Sequence, residues 1–156
     1  RESTDNKEIT LNEIYYYLNK KVNNNNLINY IRNKEIEIEK RFLTYNPFLK
    51  KIYDYCVKKN KKILYISDMY HSAKTITDFL TSNGFKVDDN LYVSSEFNCI
   101  KGDQSLYDYV QKENNIDKDR WVHIGDNYNS DYLSPLSFGI NAYAYNNVNQ
   151  YDLNNS

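Results

Sequence analysis

Four short apolar runs, separated by helical patterns, constrain this chain more than any other feature in it. The runs cover residues 63–66, 91–95, 120–126 and 140–145. Helical spacing fills the intervals: 73–82, closed by Asn83-Gly84; 104–113, with Leu106 and Val110 inside; and 131–137, ending before Gly139. Such alternation predicts an α/β fold, a doubly wound parallel sheet with right-handed crossovers. Functional groups on sheets of this kind gather at the carboxyl ends of the strands. Three polar clusters stand there: Ser67-Asp68, Ser94-Ser95-Glu96 and Gly125-Asp126-Asn127.

The residues before the first run read as helices. Thr10-Leu11-Asn12-Glu13 fits a capping box, and Leu11, Ile14, Tyr15 and Leu18 follow on one face. Asn23 to Asn26 predicts a turn. A second helix is expected over 27–43, with Leu27, Ile31, Ile38 and Phe42 as its inner stripe; the alternation in EIEIEK favours a strand, but its flanks favour helix. Asn46-Pro47 supplies a cap and a first-turn proline for a third helix, to about Lys59.

At 156 residues, with 40% hydrophobic and 26% charged, the chain has the length and composition of one globular domain. A formal net charge of −1 gives no global field pointing to nucleic acid or an anionic membrane. No apolar run approaches the roughly 20 residues of a membrane helix. Cys56 and Cys99 have no metal-like spacing and read as free thiols, which predicts a cytoplasmic protein. Most of the 17 tyrosines read as amphipathic core-edge residues. The opening RESTDNKE is charged and lacks Met, which suggests a fragment or processed product.

Three stretches carry chemistry. In HIGDNYNSD, Asp126 lies just past a strand and Asp131 five positions later, a pattern that suits Mg2+ and equally suits a helix cap. In CIKGDQS, Lys101 opens a helix and makes an anion-favouring corner; an ordinary solvated lysine is the alternative. In YISD, Ser67 ends a strand, where its hydroxyl can hold a phosphoryl oxygen or cap the next helix.

The order strand–Ser, helix-start Lys, strand–Gly-Asp-x-x-x-x-Asp resembles the haloacid dehalogenase (HAD) superfamily. ISDMY, YVSSEF, KGDQSLYDYV and HIGDNYNSD are similar to a bacterial HAD-like branch sometimes found beside or fused to glycosyltransferases. The resemblance covers about residues 45–145 and implies a Rossmann-like core over 46–146, a partial helical cap over 1–45 and a polar tail over 147–156. It implies a Mg2+-dependent phosphohydrolase of a small phosphorylated metabolite, working through a phosphoaspartate. On this chain Ser67 would bond a phosphoryl oxygen, and Lys101 would neutralise developing charge. Asp126 would ligate Mg2+, Asp131 would serve as ligand or support, and Asp68 would order the loop or face the leaving group.

The family's first motif, an apolar strand ending in Asp-x-Asp, has no counterpart before residue 45. Asp68 does not replace it, because Tyr70 stands where the second carboxylate belongs. The central strand of the expected sheet is therefore missing, and this chain alone is expected to be inactive. About five buried apolar side chains at ~1.5–3 kcal/mol each match much of a domain's stability of about 5–15 kcal/mol. A segment upstream of Arg1 or a second chain is expected to complete the sheet.

A non-catalytic module binding a phosphorylated ligand or partner protein is the alternative. A receiver-like or Rossmann-type binding domain fits less well, since no Gly-rich loop follows the first strand. Partners are expected to be the small substrate and the completing segment, with no nucleic acid and no membrane. His123, beside Trp121, reads as a packed sheet-face residue, His71 as an exposed loop residue with a substrate contact as the alternative, and Asn127 as a cap or an orienter of Asp126. Glu96 reads as a salt-bridge partner for Lys101 or a catalytic group.

Overall fold

A computed structural model describes residues 8–145. The expected tail, 147–156, lies outside the described residues. The chain divides into two compact units, Arg1–Glu96 and Phe97–Ser156.

The first unit opens with the helix pair α1 (Leu11–Val22) and α2 (Asn25–Phe42). The capping box forms: Thr10 Oγ1 accepts the Glu13 amide at 3.2 Å, and Glu13 Oε2 accepts the Thr10 amide at 2.9 Å. Asn23 ends α1 in the left-handed region at φ 50°, and Asn24 caps α2. Two side chains thus turn the backbone within two residues, as Asn tolerates left-handed geometry and has a capping oxygen. EIEIEK is helical.

Leu11, Tyr15 and Ile28 form the small core of this pair, with Ile36 and Tyr70 packed on it. The expected inner stripe of α2 is wrong by a rotation of the helix. Leu27, Ile31, Ile38 and Phe42 are exposed, at 43, 39, 53 and 71%. The inward face is instead Ile28, Arg32, Glu35, Ile36 and Glu39, spaced at helical intervals but mostly polar. Glu35 accepts from the Tyr15 hydroxyl, and Glu39 takes the Tyr70 hydroxyl at 3.3 Å and His71 Nε2 at 2.5 Å. Directional bonds to three aromatic side chains, not apolar area alone, set this face.

Helix α3 (Pro47–Lys58) starts on the Asn46 cap, whose Oδ1 accepts the Phe48 and Leu49 amides. Strand β1 (Tyr65–Ser67), helix α4 (Ala73–Ser82) and strand β2 (Leu91–Val93) then form a crossover unit. β1 and β2 are parallel, with Tyr65 opposite Leu91 and Ser67 opposite Val93. Ile76 and Phe79 are the buried residues of α4. The short helix α5 (Ser94–Phe97) follows β2 directly.

The second unit contains α6 (Ser105–Asn114), a 3-10 turn (Lys118–Arg120), β3 (Val122–Gly125), a wide π-type turn (Tyr128–Leu133) running into α7 (Ser134–Phe138), and β4 (Asn141–Ala144). β3 and β4 are parallel, with Val122 opposite Asn141 and Gly125 opposite Ala144. Leu106, Tyr107, Val110, Trp121, Ile140 and Ala142 are its buried apolar residues. Tyr107 packs edge-on against both Trp121 and His123.

The expected doubly wound sheet is not there. Among the described residues the strands form two separate two-stranded parallel sheets, β1-β2 and β3-β4. Helical segments account for 58% of the described residues, so the fold is mostly helical. The four runs do become strands, yet each pairs over only three or four residues. An apolar run reports that a segment is extended and buried; how many neighbours it pairs with is decided by packing of the helices beside it. The sheet in which a missing central strand was expected is therefore not the architecture observed. No described helix is long and apolar enough to cross a membrane.

Candidate functional site

The strongest constellation lies in the second unit, at the carboxyl end of β3. β3 runs His123-Ile124-Gly125 into Asp126 and Asn127. Period-two alternation puts His123 and Gly125 on the same face of the strand. Asn127 Oδ1 accepts the Asn129 and Ser130 amides, at 3.1 and 3.0 Å, and starts the π-type turn. That turn carries Asp131 back over β3, where its Oδ2 accepts the Asn127 amide at 3.1 Å. A β-carbon on Gly125 would lie 2.4 Å from the Asp131 carboxylate. Only glycine leaves room for that side chain.

Asp131 and Lys101 are both buried, and Lys101 Nζ meets Asp131 Oδ1 at 2.5 Å. His123 Nε2 reaches the same oxygen at 3.1 Å. Ser134 donates to the Lys101 carbonyl, which fixes the backbone from which the lysine projects. The Tyr107 hydroxyl donates to the Ser130 carbonyl at 2.7 Å and ties α6 to the turn. Burial raises the Asp131 carboxyl, but hydrogen bonds from His123 and Lys101, the lysine charge and the Asn127 amide outweigh it. They hold the group well below the usual carboxylate range.

Asp126 is exposed, one position past β3. The nearby Tyr145 hydroxyl is pushed up by burial, then by the charges of Asp126 and Asp131. The Lys101–Asp131 pair brings opposite charges into contact, and Asp126 is a second, exposed carboxylate at this strand end. As a metal centre, the arrangement presents one exposed carboxylate. Asp131 has both oxygens bonded to protein donors. Among the described residues no group of three His, Cys, Asp or Glu is arranged to hold a metal ion. A Mg2+ ion keeps several waters and needs only one or two carboxylates, so Asp126 fits as a single protein ligand with Asp131 supporting the loop.

Ser67 and Asp68 belong to the first unit. Ser67 ends β1, and the loop after it is held by the Met69 amide donating to Ser94 Oγ at 3.2 Å. Asp68 is partly buried; Glu8 beside it is raised by burial and then by the Asp68 charge. Glu96 caps α4, accepting the Ala73 amide at 2.6 Å, and Lys101 has Asp131 as its partner. His71 corrects the expectation of an exposed loop residue. It is fully buried, edge-on to Phe79, with Glu39 on Nε2 and no partner on Nδ1.

His123 is the residue that sequence reasoning left out of the site. It does pack on Tyr107, as a sheet-face residue should, but its ring nitrogen also holds Asp131. Its two-residue offset from Gly125 was the available signal, since a strand glycine often marks close approach by another group. No protein-family model matches this chain, and no curated protein matches it.

Proposed function

We propose that this chain carries part of a Mg2+-dependent phosphohydrolase of the HAD-like kind, acting on a small phosphorylated metabolite through a phosphoaspartate whose nucleophile is not among these residues. The reading rests on the motif residues and not on the sheet. Its main support is the buried Lys101–Asp131 pair: two motif positions thirty residues apart that meet at the end of β3, beside Asp126.

An exposed carboxylate at a strand end is the kind of group through which a hard divalent cation is held beside a phosphate. The bound cation would supply charge neutralisation and orient the phosphate. Asp126 would hold it, Asp131 would orient Lys101 through their buried contact, and Lys101 would donate toward developing charge. The resemblance assigns a phosphoryl oxygen to Ser67 as well, which ends β1 in the first unit.

The test is Mg2+-dependent hydrolysis of an aryl phosphate by the intact protein, together with Mg2+ titration calorimetry on the chain itself. Hydrolysis should be lost in Asp126→Ala and Lys101→Ala, and Mg2+ binding should be lost in Asp126→Ala. Unchanged activity in both variants would reject the assignments. A non-catalytic binding module is the second reading, favoured by the engagement of both Asp131 oxygens, which leaves a single exposed carboxylate. It predicts ligand binding without turnover by the intact protein.

A further inference from the structure

A second polar constellation lies wholly within the first unit, in a cleft of about 340 Å³. Its cation is Arg32, on the inward face of α2. Arg32 Nη1 donates to the neutral Asn12 Oδ1 at 2.7 Å, and Nη2 reaches Asn33 Oδ1 only at 3.5 Å. Arg32 Nε is shut off from solvent and has no acceptor. Among the described residues the guanidinium has no carboxylate partner. A half-buried cation without an anion is a costly arrangement, and an unmet N–H deepens it.

Ser72, Thr75, Ser95 and Glu96 also line the cleft. Ser72 Oγ and Thr75 Oγ1 lie 3.1 Å apart, and the Ser95 hydroxyl donates to the His71 carbonyl at 3.3 Å. Glu96 is held in place by the Ala73 amide and presents carboxylate oxygen as an acceptor. Leu11, Ile36 and Tyr70 supply the apolar wall. The Tyr70 hydroxyl is engaged by Glu39, so its polar end is already satisfied.

We propose that this cleft binds a monosaccharide-sized ligand carrying one oxyanion group, such as a phosphorylated or carboxylated sugar. Arg32 takes the oxyanion, because a guanidinium fork with an unmet N–H matches paired oxygens. Glu96 and the three hydroxyls take the sugar hydroxyls, and the apolar wall receives the carbon face of the ring. Glu96 also rejects a bare polyanion, which would meet its charge without offering it a donor. The volume suits a small metabolite, at the low end of ligand pockets. The proposal does not rest on the hydrolase reading, since every residue in it lies outside the Lys101–Asp131–Asp126 group.

The experiment is titration calorimetry on the full chain, in chelator to exclude metal-dependent binding. The probes are glucose 6-phosphate, glucuronate, glucose and inorganic phosphate. One or both sugar anions should bind at least tenfold more tightly than glucose or inorganic phosphate; which one binds distinguishes phosphate from carboxylate. Arg32→Met should weaken that binding at least tenfold, Arg32→Lys less, and Thr75→Val a few-fold, while Glu37→Ala, at an exposed ion pair outside the cleft, leaves it unchanged. Circular dichroism checks that each variant is folded. If Arg32→Met does not fold, Arg32→Lys and Thr75→Val carry the test. Binding of neither sugar anion, equal binding of glucose, wild-type affinity in the folded Arg32 variants, or an equal loss in Glu37→Ala would each overturn the proposal.

Discussion

Lys101 and Asp131 meet at 2.5 Å inside the second unit, with the His123 ring nitrogen 3.1 Å from the same carboxylate oxygen. One buried negative charge thus organises a lysine before α6, a histidine in β3 and the backbone of the following turn. Removing it takes from the buried Lys101 charge its contact at 2.5 Å. Asp131→Asn should destabilise the second unit by about 3–5 kcal/mol. Joint replacement, Lys101→Met with Asp131→Leu, should cost less than that, because neither charge then stays desolvated. Denaturant unfolding followed by Trp121 fluorescence checks both, since Trp121 is the single tryptophan and is buried in this unit.

Acid should act through the same group. The folded Asp131 carboxyl lies below its unfolded value, so the native state holds fewer protons there than the unfolded chain. Its stabilisation is complete above about pH 4, the unfolded carboxyl range, and is lost as pH falls from there toward the lower folded value. Stability of the second unit measured from pH 6 to pH 2 should therefore fall below pH 4. Asp131→Asn, less stable throughout, should show a shallower fall. Equal slopes in the two proteins would remove Asp131 as the cause.

Gly125 is required by space. A β-carbon there would lie 2.4 Å from the Asp131 carboxylate, so Gly125→Ala must displace that side chain or the strand. The expected cost is about 1–3 kcal/mol, as for other overpacked sites. Combining Gly125→Ala with Asp131→Ala should cost less than the two separate losses added together. An additive double mutant, followed by the same Trp121 signal, would mean that the clash is relieved elsewhere.

In the first unit, Glu39 should matter more than its place on a helix surface implies. It holds buried His71 and the Tyr70 hydroxyl. Glu39→Ala leaves His71 Nε2 without an acceptor beside an already unpartnered Nδ1, at an expected cost of about 1–3 kcal/mol. Circular dichroism during thermal unfolding should show the lower midpoint. Glu37→Ala, on an exposed ion pair with Lys34, should change it little.

Most of the secondary structure was legible in the sequence because its signals are local. The Thr10 capping box, the Asn46-Pro47 helix start, the helix over Ala73–Ser82 and the four extended runs each depend on residues within a turn or two of one another. Ser94–Phe97 and Lys118–Arg120 were missed; they are too short to show a period. Two larger errors arose where a local pattern had to predict a distant partner. The inner face of α2 was assigned to Leu27, Ile31, Ile38 and Phe42 by hydrophobicity, whereas bonds from Glu35 and Glu39 to Tyr15, Tyr70 and His71 rotate Ile28 and Ile36 inward. The four runs were joined into one doubly wound sheet, whereas they pair as two.

By itself, then, the sequence determined which segments are helical, which are extended, and which residue types stand at the strand ends: Ser67, Lys101, Asp126 and Asp131 were all named from spacing and resemblance. Only the tertiary structure decided that Asp131 is committed to Lys101 and His123, that Asp126 is exposed, and that Arg32 lines a cleft without a carboxylate in contact with it. The reason is physical. Caps and periodicity are energies of neighbouring residues, whereas charge pairing, burial and strand partnership are energies between segments brought together by folding, and no spacing along the chain encodes them directly.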